Sequence, residues 1–180
     1  MSIRTDLALE SINAAKISEG ITKTERGKAF KITEINIAED KHGEKIGKKK
    51  GKYITLEGSV FSCFSKDFRE MCEEFSEELS QFVPDGKVLV VGLGNNDITP
   101  DALGPQTASK ILATRHLKEE LKDEDDFLTS LRPVGVLASG VLGQTGIETA
   151  ELIDGLMEKI DPQAIIAVDA LACSDINRLG

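Results

Sequence analysis

The chain has 180 residues, a net charge of −9 and a pI of about 4.8, which is enough length for one full-sized core. Its acidity argues against a general nucleic-acid-binding surface, which would be basic. It contains no run of about 18 apolar residues and no apolar segment near the N-terminus, which excludes a membrane span and a secretory signal in this sequence. We therefore predict a cytoplasmic protein without nucleic-acid or membrane partners.

The first part of the chain is predicted to form a hairpin and a helix. Residues 1–28 are polar without strong periodicity, and we interpret them as an N-terminal arm. Alternating apolar residues predict strands over 29–37 and 53–60, joined by a charged loop, and the shift of phase at Thr33–Glu34 is compatible with a bulge. Apolar residues from Phe64 to Phe82 follow helical spacing and predict a core-facing helix. The hairpin and this helix form an annex, residues 29–86.

The second part, residues 87–180, has a strand–helix–strand–helix–strand pattern. Apolar runs predict strands over 88–91, 134–138 and 164–168. Pro105 favours a helix that extends to about Leu117, and 118–130 is predicted to be a charged loop. Thr145 and Glu148 fit a capping box for a helix ending at Ile160. Right-handed crossovers then give a parallel sheet.

The fold class predicted from these elements is α/β. We expect three layers around a mostly parallel sheet, with the annex attached and the whole forming one domain. Because open sheets usually hold more than three parallel strands, we expect this domain to be incomplete.

Two aspartates follow the ends of predicted parallel strands. Asp101 comes after the first strand and Asp169 directly after the third, and ligands of open α/β sheets gather at this edge. Each acid alone has a plain alternative, a helix cap for Asp101 and an ordinary strand-end acid for Asp169. Together they could share a proton, so that one activates water and the other protonates a leaving amine.

Glycine-rich loops follow the first two strands. Gly92 and Gly94 begin like a dinucleotide-binding motif, but Asp97 stands where the third glycine belongs and would repel a pyrophosphate, so we expect no cofactor. The second loop contains Gly143, Gln144, Thr145 and Gly146. Its amides could stabilise an oxyanion or contact substrate, although a tight turn before a capped helix explains the same residues.

Seven motifs in order resemble the N-terminal half of the spore germination protease family. They are Ile3-Arg4-Thr5-Asp6-Leu7-Ala8-Leu9-Glu10, Gly51-Lys52-Tyr53-Ile54-Thr55-Leu56-Glu57, Val91-Gly92-Leu93-Gly94-Asn95, Thr99-Pro100-Asp101-Ala102-Leu103-Gly104-Pro105, Thr114-Arg115-His116-Leu117, Gly143-Gln144-Thr145-Gly146-Ile147-Glu148-Thr149 and Val168-Asp169-Ala170-Leu171-Ala172. The resemblance covers the chain from end to end.

The resemblance implies an endopeptidase of the aspartic type that initiates degradation of small acid-soluble spore proteins in the spore core or forespore. Asp101 and Asp169 would be its metal-free catalytic pair, on a fold akin to the hydrogenase maturation proteases. It also implies homotetramers and a zymogen that cuts itself at Thr5–Asp6, so that the residues before Asp6 are a pro-segment. Asp6-Leu7-Ala8-Leu9-Glu10 is similar to the acidic motif cut in the family's substrates, so we hypothesise that the pro-site imitates substrate.

Two alternatives stay open on sequence grounds. A metal-dependent hydrolase or maturation-type protease would have to use Asp97, Asp101, Asp169 and His116 as ligands. A non-catalytic module would use the two glycine loops to bind a small anion.

Overall fold

The computed structural model describes residues 5–15, 19–59, 64–117 and 126–174. They form two compact units. The first runs up to Ser80 and includes the segment that starts at Leu171, and the second is Gln81–Ala170. The predicted mixture of helices and strands is confirmed, with an antiparallel sheet in the first unit and a parallel sheet in the second.

The first unit is built around a three-stranded sheet in the order β1-β2-β3. Its elements are α1 (Ala8–Ala15), β1 (Ile21–Arg26), β2 (Lys31–Ile37), α2 (Asp40–Gly43), a 3-10 turn (Glu44–Ile46), β3 (Gly51–Glu57) and α3 (Phe68–Ser80). The predicted hairpin corresponds to β2 and β3, and the polar N-terminal arm before it, in which the sequence shows no strong periodic signal, contains α1 and β1. The predicted loop between the two strands also contains α2. Residue 60, at the end of the predicted second strand, lies outside the described residues.

Strand β2 buries both of its faces. Ile35 and Ile37 pack with α1, whereas Ile32 packs with Met71 of α3. Residues of opposite parity point to opposite faces of a strand, so a helix on each side explains the shift of phase in the sequence. The suggested bulge at Thr33–Glu34 was wrong, since the pairing of β2 with both neighbours continues through these residues.

Helix α3 is shorter than the periodicity predicted. It begins at Phe68 rather than Phe64 and ends at Ser80. Met71 is fully buried, but Phe75 and Phe82 stay about half exposed, so the core-facing stripe is only partly buried within the described residues. The carboxylate of Glu74 accepts hydrogen bonds from the backbone N–H groups of three consecutive residues before β2, Lys28, Ala29 and Phe30.

The second unit contains a parallel sheet in the order β5-β4-β6. Its elements are β4 (Val88–Gly92), a 3-10 turn (Thr99–Asp101), α4 (Leu103–Ala108), α5 (Asp126–Ser130), β5 (Val134–Ala138), α6 (Leu142–Thr145), α7 (Thr149–Ile160) and β6 (Ala164–Val168). All three predicted strands are confirmed; β4 is fully buried, whereas β5 and β6 on either side of it are partly exposed.

The helices of this unit differ from the predictions. Helix α4 ends at Ala108 instead of Leu117, because the chain then turns so that the backbone N–H groups of Thr114 and Arg115 donate to the carbonyl of Val134. In the predicted charged loop, residues 118–125 lie outside the described residues and 126–130 form α5.

The predicted capping box of Thr145 and Glu148 was wrong. Thr145 ends α6, and the left-handed Gly146 (φ 71°) separates it from α7. Glu148 is itself the N-cap of α7 and forms the capping box with Glu151. The predicted end of this helix at Ile160 is confirmed.

Central strand β4 is buried at every residue. Leu89 and Val91 pack with Ile160 of α7, while on the other face a Cβ on Gly92 would collide with the Gly104 carbonyl and the Ala108 side chain of α4. Helices therefore cover both faces of β4. In the described part of the chain, no helix combines the length and the apolar character that crossing a membrane requires.

Candidate active site

The carboxyl ends of β4, β5 and β6 lie side by side. Gly92, the last residue of β4, pairs with Ala138 at the end of β5 and with Val168 at the end of β6. The loops that follow the three strands therefore leave the sheet at one edge. This edge includes the start of the segment leading to Asp101 and, directly after Val168, Asp169.

The loop after β4 folds back on itself and fixes Asp101. The backbone N–H of Asn95 donates to Asp101 Oδ2 at 2.8 Å, and the N–H of Asp101 donates to the Ile98 carbonyl at 2.8 Å. Gly94 has a φ of 113°, and a Cβ there would collide with the Asp101 carbonyl oxygen. The tight turn needs glycine at this position, and its result is a half-buried Asp101 beside the end of β4.

Close backbone packing links the segment of Asp101 to the end of β6. The N–H of Leu93 donates to the Val168 carbonyl at 2.8 Å. A Cβ on Gly104 would collide with backbone atoms of both Leu93 and Val168. Gly104 follows Asp101 by three residues and Asp169 follows Val168 by one, so both acids are next to a shared backbone contact. Asp169 is exposed.

Asp169 has a local hydrogen bond of its own. Its Oδ1 accepts the N–H of Ala170 at 2.8 Å. The bond fixes one carboxylate oxygen beside the chain, as a short polar side chain at a strand end commonly does. The exposed carboxylate can still meet solvent or a bound peptide.

The second glycine loop reaches the first through one side chain. Gln144 Nε2 donates to Asn95 Oδ1 at 3.0 Å and lies 3.4 Å from Asp97 Oδ2. The backbone N–H groups of Gln144, Thr145 and Gly146 donate to carbonyls inside this loop, and the Thr145 hydroxyl bonds to its own turn. Gln144 is therefore the residue of the predicted loop that contacts the loop of Asp101.

Asn95 is a site residue that the sequence analysis did not single out. Its Oδ1 accepts the N–H of Asp97 at 2.9 Å, an Asx turn that starts close to the end of β4. The signal in the sequence was an Asn two residues before Asp in a loop that follows a buried strand. Asn95 joins Asp97, Asp101 and Gln144 in one network.

The ligands required by the metal-dependent alternative lie at both ends of the sheet. The N–H of Arg115 donates to the carbonyl of Val134, the first residue of β5, at 3.1 Å. His116 therefore follows at the amino edge, about 13–16 Å from the carboxyl edge for a strand of this length. Among the described residues, no three His, Cys, Asp or Glu side chains form a group that could hold a metal ion.

The predicted cleavage site, Thr5–Asp6, belongs to the first unit. Thr5 Oγ1 accepts the N–H of Leu7 at 3.2 Å and donates to Glu10 Oε2. The N–H of Asp6 donates to the Ala172 carbonyl at 2.8 Å. Both residues are half-buried, and the first helix begins at Ala8.

Comparison with known proteins gives one consistent result. A family model described as Germination protease matches residues 3–180. Similar proteins with the same description include those of Clostridium acetobutylicum (41% identity over 191 residues), Priestia megaterium (40% over 196) and Caldanaerobacter subterraneus subsp. tengcongensis (41% over 186). Each alignment covers 99% of this chain but 58%, 52% and 57% of the respective relative. The chain thus spans slightly more than half the length of these curated relatives.

Proposed function

The chain belongs to the germination protease family, and from this premise we propose that the protein is an endopeptidase of the aspartic type in which Asp101 and Asp169 activate water. The observation that supports the pair is the backbone contact of Gly104 with both Leu93 and Val168. It brings the segments of the two acids to one edge of the parallel sheet, where open α/β sheets hold their ligands.

The proposed mechanism needs one proton shared by two carboxyl groups. One aspartate, ionised, takes a proton from water while the oxygen of that water attacks the peptide carbonyl. The other, protonated, gives its proton to the leaving nitrogen, and the C–N bond breaks. The first aspartate ends protonated and the second ionised, so a proton exchange with solvent restores the starting state. The neighbouring loop of Gly143, Gln144, Thr145 and Gly146 would lie beside the substrate, and within it Gln144 holds Asn95, which orients Asp101.

The remaining properties follow from family resemblance and concern the whole protein. We propose small acid-soluble spore proteins as substrates, the spore core or forespore as the compartment and a homotetramer as the assembly. The fold of the complete protein would be akin to that of hydrogenase maturation proteases. The protein would be made as a zymogen that cuts itself between Thr5 and Asp6.

Imitation of substrate by residues 6–10 is a further part of this proposal. In that hypothesis the acids Asp6 and Glu10 and the apolar Leu7 direct the enzyme to its own chain. Leu7→Asp should then slow self-processing of the complete gene product, followed by intact mass. Unchanged processing would contradict the imitation, but not the catalytic pair.

The test of the catalytic pair uses the complete natural gene product and a purified small acid-soluble spore protein. We expect Asp101→Asn and Asp169→Asn each to lower kcat/KM at least about 100-fold, the usual size of a general acid–base contribution. Asp154→Asn, which changes an exposed aspartate of α7, is the matched control and should keep activity. The products are identified by mass spectrometry.

Three outcomes would overturn the proposal. Either Asp→Asn variant cleaving within tenfold of the control would contradict the pair. Loss of cleavage in EDTA, restored by an added divalent metal, would favour the metal-dependent alternative. A wild-type protein that cleaves no protein substrate but binds phosphate or sulfate would instead support an anion-binding module.

A further inference from the structure

In the first unit, the start of the chain is hydrogen-bonded to residues 172–174. Asp6 holds both backbone groups of Ala172. The N–H of Asp6 donates to the Ala172 carbonyl at 2.8 Å, and Asp6 Oδ2 accepts the Ala172 N–H at 2.9 Å. Two reciprocal hydrogen bonds of this kind fix the direction and register of one segment against the other.

Glu10 repeats the arrangement four residues later. Its Oε2 accepts the backbone N–H of Ser174 at 2.8 Å and the Ser174 hydroxyl at 2.6 Å. The same oxygen accepts the Thr5 hydroxyl at 2.5 Å. Both carboxylates therefore bind backbone N–H groups of the same three-residue segment, at Ala172 and at Ser174.

Lys48 provides a third tie to the same place. Its Nζ donates to the backbone carbonyl of Asp6 at 2.6 Å. Its own N–H donates to the carbonyl of the buried Gly43 at 3.0 Å. The N–H, the carbonyl and the side chain of Asp6 are thus all bound, on the residue that follows the Thr5–Asp6 bond.

The chain after this bond is also fixed by packing. Ala8 and Leu9 are only 5% and 3% exposed and pack with Ile35 and Ile37 of β2. Peptides that bind in clefts are commonly extended. Here helix α1 starts two residues after Asp6, so the folded segment does not have the extended form that a protease cleft binds. A protease can cut Thr5–Asp6 only after the segment opens, so the rate of cutting follows the population of the open form.

We propose that Asp6, Glu10 and Lys48 form with Ala172–Ser174 a latch that keeps the Thr5–Asp6 bond closed to proteases. Residues 172–174 act as a carboxylate-binding segment, and its occupant is the chain's own N-terminal segment. The claim that the latch delays self-processing rests on the proposed function. The claim that it protects the Thr5–Asp6 bond from an added protease is independent of that function.

The test measures cutting by an added protease that cleaves on the amino side of aspartate. Loss of residues 1–5 is followed by intact mass on the purified chain under native conditions. Glu10→Ala removes the acceptor of three hydrogen bonds, and we expect roughly tenfold or faster cutting at Thr5–Asp6, since bonds to a charged group each contribute strongly. Lys48→Met should have a smaller effect in the same direction. Glu44→Ala, which removes an exposed carboxylate of the 3-10 turn in this unit, should leave the rate unchanged.

Circular dichroism and thermal unfolding identify any variant that does not fold, in which case Lys48→Met alone decides the result. If both latch variants are cut at the control rate, the latch does not exist. Complete gene product carrying Lys48→Met, which leaves residues 6–10 unchanged, should also expose the Asp6 N-terminus earlier than wild type. A wild-type protein that never cuts itself would contradict the proposed self-processing. The rates of cutting by the added protease would still test the latch.

Discussion

The backbone N–H of Asn95 donates a 2.8 Å hydrogen bond to Oδ2 of Asp101. The side chain of the same asparagine accepts hydrogen bonds from the N–H of Asp97 and from Gln144 Nε2. A side chain from the loop after β5 therefore braces the residue that orients Asp101. Gln144 acts on Asp101 through Asn95, and we regard it as a positioning residue.

Replacing Gln144 by alanine should reduce activity more than stability. The change removes its hydrogen bonds to Asn95 and Asp97, and a neutral hydrogen bond contributes about 0.5–1.5 kcal/mol, which corresponds to a roughly 2–10-fold decrease in kcat/KM. Gln144 is exposed, so the unfolding temperature should change little. The measurement is peptide hydrolysis by the complete gene product, with thermal unfolding in parallel.

Gln144→Glu should be more harmful than Gln144→Ala, since it adds a carboxylate beside Asp97. Gln106→Ala, an exposed glutamine of α4, is the matched control and should behave as wild type. If Gln144→Ala lowers the unfolding temperature enough to explain the lost activity by a loss of folded protein, Gln144 has a structural role rather than the positioning role.

A methyl group at Gly104 should destabilise the second unit. Its Cβ would collide with backbone atoms of Leu93 and Val168, which cannot rotate away as a side chain can. Overpacking of this kind costs about 1–3 kcal/mol, so we expect Gly104→Ala to lower the free energy of unfolding by that amount. Chemical denaturation followed by circular dichroism provides the measurement.

Gly155→Ala is the control, and its expected effect on stability has the opposite sign. This glycine lies on the exposed side of α7, and an added Cβ has no atom within 4 Å. Alanine should stabilise the helix by about 0.5–1 kcal/mol because glycine loses more backbone entropy on folding. Equal effects of the two substitutions would contradict the close backbone contact at Gly104.

The parallel strands could be predicted because each is a continuous apolar run, a pattern that burial on both faces explains for the central strand β4. The placement of Asp101 and Asp169 after two of these strands followed from the same signal. Strand β1 could not be found in this way, because five of its six residues are exposed and no apolar alternation is needed. Helix α1 was missed because only eight residues form it, too few for a clear period.

The contacts around the candidate site depend on backbone turns that apolar patterns do not encode. The Asx turn at Asn95 and the left-handed Gly94 determine that the loop returns to the strand end. The capping box shows the same limit. Thr145–Glu148 fits the sequence rule, but the left-handed Gly146 ends the preceding turn, and the box forms instead between Glu148 and Glu151, which the rule does not predict. The elements were therefore easier to predict than the side-chain partners at their ends.

Glu74 should make the stability of the first unit depend on pH. Its pKa lies below the ordinary value of 4.5, chiefly because the backbone N–H of Phe30 donates to its carboxylate, with Lys28 and Ala29 adding to the effect against the opposing cost of burial. A lowered pKa in the folded state stabilises the fold above the unfolded pKa, and this contribution is lost as the pH falls through the folded value.

Glu74→Gln should therefore lower the urea midpoint of unfolding at pH 7. The gap between its midpoint and that of wild type should shrink as the pH falls below about 4.5. Glu70→Gln, which changes an exposed glutamate of the same helix, should leave the midpoint near that of wild type at each pH. A Glu74→Gln difference that stays constant from pH 7 to about pH 3 would show that the carboxylate charge does not stabilise these three amides.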